Sequence, residues 1–227
     1  MHEEVRREVT HALDGIFRRY FRREPKQSRS RALVDAVVEA TDELIRRGEP
    51  IDRVTVELVS ERAGIAIGSF YEYFASKDSV LGVLIGKVTR ANFDDLSRRL
   101  DALDHDSLDA MTHAFARSVA DTYLAHPNRT RVIVEAIGRL GLGTLVHEEK
   151  DRFAQVVAVR AARFLPGEPL GEIAATMRMV ADAVMGVLVF TAMRGGAIDR
   201  GQIADELAAL TLAIIYRRHP KPESTFR

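Results

Sequence analysis

The chain has 227 residues, 46% of them hydrophobic, with 15 glycines and 7 prolines, enough to bury one sizeable core or two modest ones. It has no cysteine, which excludes disulfides, thiolate zinc sites and a cysteine nucleophile. Formal net charge is zero, yet seven of the residues between Ile16 and Arg31 are basic (Arg18, Arg19, Arg22, Arg23, Lys26, Arg29, Arg31) and only Glu24 is acidic, so positive charge is concentrated near the start of the chain.

Apolar residues recur at three- and four-residue spacings without sustained period-two alternation, which predicts an all-α protein. Residues 1–27 form an extension. Val5, Val9, Ala12, Leu13, Ile16, Phe17, Tyr20 and Phe21 make the stripe of a first helix that Pro25 ends. This extension can pack on the next domain, lend its arginines to DNA phosphates or the minor groove, or lie on a membrane surface. Packing with phosphate contact is favoured, because Thr10 and Asp14 interrupt the stripe and three acids lie near the start.

A helix follows from about Ser28 to Arg47, with Leu33, Ala36, Val37, Ala40 and Leu44 on one face and Gly48 as its stop. Residues 55–81 read TVELVSERAGIAIGSFYEYFASKDSVL. Thr55 can cap a short helix to Ala63, Gly64 supplies a turn, and a second short helix runs to about Phe74. Such a helix, turn, helix needs a small core, which Leu58, Val59, Ala63, Ile65, Phe70 and Phe74 can form. Phe70 and Phe74 stand at i and i+4, leaving Ala66, Ile67, Ser69, Tyr71 and Tyr73 nearer the outer face. Gly68 would let the backbone approach a ligand closely. Ser76 suits the N-cap of a long helix towards Leu100, with Asp78 in its first turn.

Further helices are expected at about 108–125, 129–140, 147–165, 169–194 and 200–218, with breaks at Pro127, at Phe164 to Pro169 and at Gly195-Gly196. The tail from His219 is expected to be disordered. Gly138, Gly141 and Gly143 lack the spacing of a phosphate loop and read as a helix break. Asp101, Asp104, His105 and Asp106 lack the EF-hand pattern, the histidines show no zinc spacing, and no nucleophile motif occurs. Neither enzyme chemistry nor a metal or other cofactor is expected. The longest nearly apolar run, Ala183 to Met193, falls short of the roughly 20 residues of a spanning helix, so a cytoplasmic protein without membrane partners is expected.

Residues 28–81 resemble the TetR family of regulators. The resemblance lies in Thr55, the Ala63-Gly64-Ile65 turn, Gly68, the Tyr71 and Phe74 pair, Ser76-Lys77 and the Arg29-Ser30-Arg31 start with its Ala36/Ala40 face. It implies a DNA-binding domain over 28–80 and a helical ligand-binding and dimerisation domain over 81–218, followed by the tail 219–227. It implies operator DNA, a homodimer partner and a small-molecule effector, hence a transcriptional repressor. The implied dimer forms through the last two long helices. Two recognition helices about 34–36 Å apart, or a near multiple, would read a pseudo-palindromic site.

Candidate DNA-binding residues are Arg29, Arg31, Thr55, Ala66, Ile67, Gly68, Ser69, Tyr71, Tyr73 and Lys77. The recognition segment departs from the family's common pattern: it has no Arg, Lys, Asn or Gln, and Glu72 would repel phosphate. Base readout would then rest on hydroxyls and on apolar contact with thymine methyls, and affinity on phosphate contacts. Candidate effector contacts are Met111, Phe115, Arg117, Val119, Tyr123, Ile137, Phe153, Val157 and Met177, with His113 and Ile133 near them. Their apolar character suggests a bulky apolar effector. Apolar residues at helical spacing are more often plain core. The alternative reading is a helical ligand-binding or scaffolding protein with a vestigial helix-turn-helix.

Overall fold

The computed structural model describes residues 18–220, and the described residues form helices and connections without a strand. The expected stripe from Val5 to Phe17 lies outside them. Two compact units are distinguished, one containing the described residues to Asn92 with 126–145, the other 93–125 with 146 onward. Residues 126–145 thus group with the N-terminal unit, although the sequence assigns them to the second domain.

In the first unit, α1 spans Ser28–Arg46. Ser30 Oγ accepts from Gln27 N (3.1 Å) and donates to Gln27 O (2.8 Å), which closes the helix start. Gly48, at φ +92°, turns the chain out of the helix. A short 3₁₀ turn, Ile51–Arg53, leads to α2, Val56–Ala63. Thr55 caps α2 by accepting from Leu58 N at 3.2 Å. Gly64 is left-handed at φ +67°, a conformation a side chain would strain, and Ile65 N closes the turn on Ser60 O. Helix α3 is Ile67–Tyr73 and α4 is Lys77–Ala102, of which the residues to Asn92 belong to this unit and those from Phe93 to the second. Ser76 Oγ accepts from Ser79 N at the start of α4. Helix α6, Pro127–Arg139, begins on a proline, whose missing N–H is no loss at a helix start.

The core of this unit joins Val34, Val37 and Ile45 of α1, Val59 of α2, Phe70 and Phe74 around α3, and Val80, Leu81 and Leu84 of α4. Leu58, Ala63 and Ile65 pack against it half-buried. Val132 of α6 belongs to the same cluster, which is why this segment groups with the first unit.

The second unit contains α5, Leu108–Leu124, α7, Gly143–Ala161, α8, Leu170–Arg194, and α9, Arg200–Arg218. Ser107 and Asp199 cap α5 and α9 through Ala110 N and Gln202 N. Ala116 and Ala120 of α5 meet Ala204 and Ala208 of α9, and these small side chains let the helices approach closely. A second cluster joins Ala154 and Ala158 of α7 with Ile173 and Met177 of α8 and Ile215 of α9.

Three local expectations are corrected. The first helix ends at Arg18, with a turn at 19–20, rather than at Pro25; Phe21 N closes that turn on Arg18 O, while Arg22 N is taken by Tyr73 O. The glycine break near residue 140 is narrower than expected, because Gly138 stays within α6 and Gly143 already begins α7, leaving only Gly141 at positive φ. His219 is buried instead of opening a disordered tail: its Nδ1 lies 2.9 Å from Glu168 Oε2 and its Nε2 2.9 Å from Thr176 Oγ1.

Candidate nucleic-acid interface

Helix α3 is held from behind. Phe70 and Phe74 are fully buried, their rings 5.4 Å apart, and fix the rotation of the helix about its axis. The opposite side is open: Ile67 is 44% and Tyr71 41% exposed, large values for apolar and aromatic groups, and Ala66, Gly68 and Glu72 are exposed beside them. Nothing lies within 4 Å of the place a Cβ would occupy on Gly68, so a duplex can approach the backbone there. This is the open face that entry into a major groove requires.

The other candidates fall into three groups. Thr55 is exposed at the start of α2; its hydroxyl oxygen accepts from Leu58 N and the hydroxyl also hydrogen-bonds the Glu57 carboxylate. Arg29 and Arg31 are exposed on the first turn of α1, with Arg31 Nη2 donating to Lys26 O at 3.1 Å. Ser69 is half-buried. Lys77 is half-buried and its Nζ donates to Ile51 O at 2.9 Å, so it ties the start of α4 to the 3₁₀ turn. Tyr73 departs from its expected outward position: it is 9% exposed and belongs to the core, because it stands three residues after Phe70 on the same side of the short helix.

Two carboxylates brace this unit. Glu43 on α1 accepts from Arg62 Nε on α2 at 2.8 Å; that hydrogen bond, with Arg47, Arg62 and Arg46 nearby, holds its carboxyl below the usual range. The hydrogen bonds of Glu57 with its own backbone amide and with Thr55 lower its carboxyl likewise. A groove of about 620 Å³ lies among α1, α4 and α6. Within its charged lining Asp35 pairs with Lys87 and Asp42 with Arg129, while Glu39 pairs with Arg46 outside it.

Sequence reasoning expects the extension to pack but does not reach the contacts by which Tyr20, Phe21 and Arg22 dock. Phe21 sits 5.5 Å from Phe74, and Arg22 N donates to Tyr73 O at 2.8 Å. The basic run and the Tyr20 and Phe21 end of the apolar stripe are the marks of this segment in the sequence.

The effector candidates divide. Met111, Val157 and Met177 pack in one cluster of the second unit, while Phe115, Val119, Tyr123 and Phe153 pack in the other. Phe153 is 5.4 Å from Phe93 and 6.1 Å from Phe115. Arg117 is exposed, 3.9 Å from Asp205, and His113 Nδ1 lies 2.9 Å from Asp109 O. Ile133 and Ile137 lie in the first unit. Within the second unit, Glu149 is 4% exposed; Arg152 Nη1 donates to its Oε1 at 2.6 Å, and burial pushes its carboxyl pKa up.

Helix α8 presents another kind of surface. Leu170, Met179, Phe190 and Met193 are exposed, Phe190 by 66%. By length and composition alone α8 would suffice to cross a membrane, unlike the shorter run from Ala183 to Met193.

Residues 37–84 match the family model for bacterial regulatory proteins of the tetR family. No curated protein matches the chain. Solved structures do. A TetR transcriptional regulator from Rhodococcus sp. RHA1 is 18% identical, with 83% of this chain and 98% of that one covered at a TM-score of 0.55. SmeT, the repressor of the Stenotrophomonas maltophilia multidrug efflux pump SmeDEF, is 19% identical over 79% of this chain and 88% of its own, at 0.57, and a SmeT complex with triclosan is also solved. The fatty acid degradation regulator FadR from Bacillus halodurans is 15% identical over 83% and 97%, at 0.62. At these identities the likeness is one of fold.

Proposed function

We propose that this chain, a tetR-family transcriptional regulator by its DNA-binding domain at residues 37–84 and its all-helical fold, is a cytoplasmic repressor that binds a pseudo-palindromic operator as a dimer. The open face of α3, with Ile67 and Tyr71 held outward by buried Phe70 and Phe74, carries the reading. Ala66 and Ile67 can meet thymine methyls, and the Ser69 and Tyr71 hydroxyls can meet base edges or phosphates. Thr55, Arg29 and Arg31 then make phosphate contacts.

Met179, Phe190 and Met193, exposed on one face of α8, support a homodimer, because large apolar side chains on one face favour burial against a partner. Release by a small apolar effector is supported by the aromatic cluster of Phe93, Phe115 and Phe153, and by SmeT, a repressor of the same fold solved with triclosan. The effector needs only to prefer one of two dimer states, with about 1–3 kcal/mol of coupling for a 5–150-fold loss of operator affinity. Hydroxyl-radical footprinting of the intact chain on its preferred duplex tests the dimeric reading. Two protected patches related by a two-fold are expected; a single patch contradicts it.

A further inference from the structure

Arg18 to Glu24 lie outside the residues that match the family model and pack on the first unit. The Tyr20 ring lies directly against Gly82 of α4, where an added Cβ would fall 2.5 Å from the ring, so only glycine admits this contact. The Tyr20 hydroxyl donates to Leu140 O at 3.2 Å, and Phe21 packs on Phe74. Arg22 then closes the end of α3. Its N–H takes Tyr73 O at 2.8 Å, and its Nη1 lies 3.4 Å from Tyr71 O. The last carbonyls of a helix have no partner within it, so this segment satisfies groups that a seven-residue helix leaves open.

The docking also places charge. Arg18, Arg19, Arg22 and Arg23 are all exposed. Arg19 lies over the Tyr20 ring at 5.1 Å, and Arg18 pairs with Glu24 at 3.4 Å while staying 63% exposed. Arg22 reaches the carbonyl of Tyr71, whose ring belongs to the open face. Helix α3 itself carries no Lys or Arg and one Glu, so its cationic neighbours on this side come from the segment that docks on its end.

We infer that Arg18 to Glu24 form a basic clamp that braces the end of the recognition helix and contacts the phosphates of the duplex that α3 reads. The inference deepens the DNA-binding reading and rests on it. The clamp's contacts are sequence-independent and electrostatic, so they set affinity and its salt dependence.

The test is fluorescence anisotropy of the full chain on a random-sequence duplex over a series of salt concentrations. Replacing Arg18, Arg19, Arg22 and Arg23 with Gln should reduce the magnitude of the slope of log K against log salt by about 2 to 4, at ~0.9 for each phosphate no longer neutralised. The Lys versions should keep the slope. Arg18→Gln with Arg23→Gln, which leave the packing on α3, α4 and Leu140 untouched, should lower it by about 1 to 2, so the test survives poor folding of the fourfold variant. Gly82→Ala should weaken binding by displacing Tyr20 with every charge retained. Unchanged slopes in the Gln variants, or unchanged affinity in Gly82→Ala, would overturn the clamp while leaving the DNA-binding reading intact. A wild-type chain indifferent to duplex at low salt would overturn that reading itself.

Discussion

Helices α3 and α8 both leave large apolar side chains in water, and their surroundings give the exposure different meanings. On α3 the exposed groups are Ile67 and Tyr71, on a seven-residue helix pinned by Phe70 and Phe74 and flanked by the arginines of the preceding segment. On α8 they are Leu170, Met179, Phe190 and Met193 along twenty-five residues of mostly apolar sequence. A small apolar face beside a run of arginines suits a groove lined by thymine methyls and phosphates; a long one whose few charges, Glu172, Arg178, Asp182 and Arg194, are of mixed sign suits another protein surface. Exposure alone does not specify the partner; neighbouring charge and the length of the face do.

The sharpest way to break this comparison is to remove the pin. Phe70→Ala should cost the first unit about 3–5 kcal/mol, as for other buried aromatic truncations, and abolish duplex binding. Thermal unfolding followed beside anisotropy would show both; a stable variant that still binds would mean that Phe70 does not set the orientation of α3. On α8, Phe190→Asp should weaken self-association by about 2 kcal/mol or more if Phe190 anchors an interface, seen as a concentration-dependent fall in mass by sedimentation. An unchanged dimer would move the interface elsewhere. Thr55→Ala should lower stability by about 1 kcal/mol through loss of the α2 cap, measured by denaturant unfolding.

The two units also differ in what their carboxylates do as pH changes. Burial raises the pKa of Glu149, so its ionisation disfavours the folded state as pH rises through the ordinary carboxylate range. Glu149→Gln should therefore raise the unfolding temperature at neutral pH, and the gain should vanish at acid pH where the wild-type carboxyl is protonated. Glu43 behaves oppositely: Arg62 lowers its pKa, so its contribution is present at neutral pH and is lost as pH falls through the lowered value. Glu43→Gln should give a small loss at neutral pH that disappears in acid. Melting curves across that range check both signs.

The first unit was legible almost residue by residue because local rules fix it. Thr55 before an apolar turn, Gly64 at a position that needs positive φ, and Phe70 and Phe74 at i and i+4 each constrain the backbone without reference to distant contacts. Tyr73 escaped because a short helix buries more than one stripe, and the i, i+4 spacing marks only the first. Lys77 shows the same limit, since its charge is visible in sequence but its bond to Ile51 O depends on the turn between α1 and α2. In the second unit periodicity located the helices but not their neighbours. Met111 and Phe115 lie one turn apart on α5 and enter different clusters, and Ile137 groups with the first unit. Those assignments come from helix packing, which no local pattern encodes. His219 was misread because proline-rich composition signals a loose tail, whereas its partners Glu168 and Thr176 lie far away in sequence.

Selection of bound sequences from a random duplex pool, for the intact chain and for Ile67→Ala with Tyr71→Ala, tests the reading of α3 most directly. Both substitutions sit on the exposed face and keep every core side chain, although Tyr71→Ala removes an edge contact with Phe70. Two inverted half-sites enriched by the intact chain and lost by the variant are the predicted result; no enrichment at low salt, or the same enrichment in the variant, would contradict it.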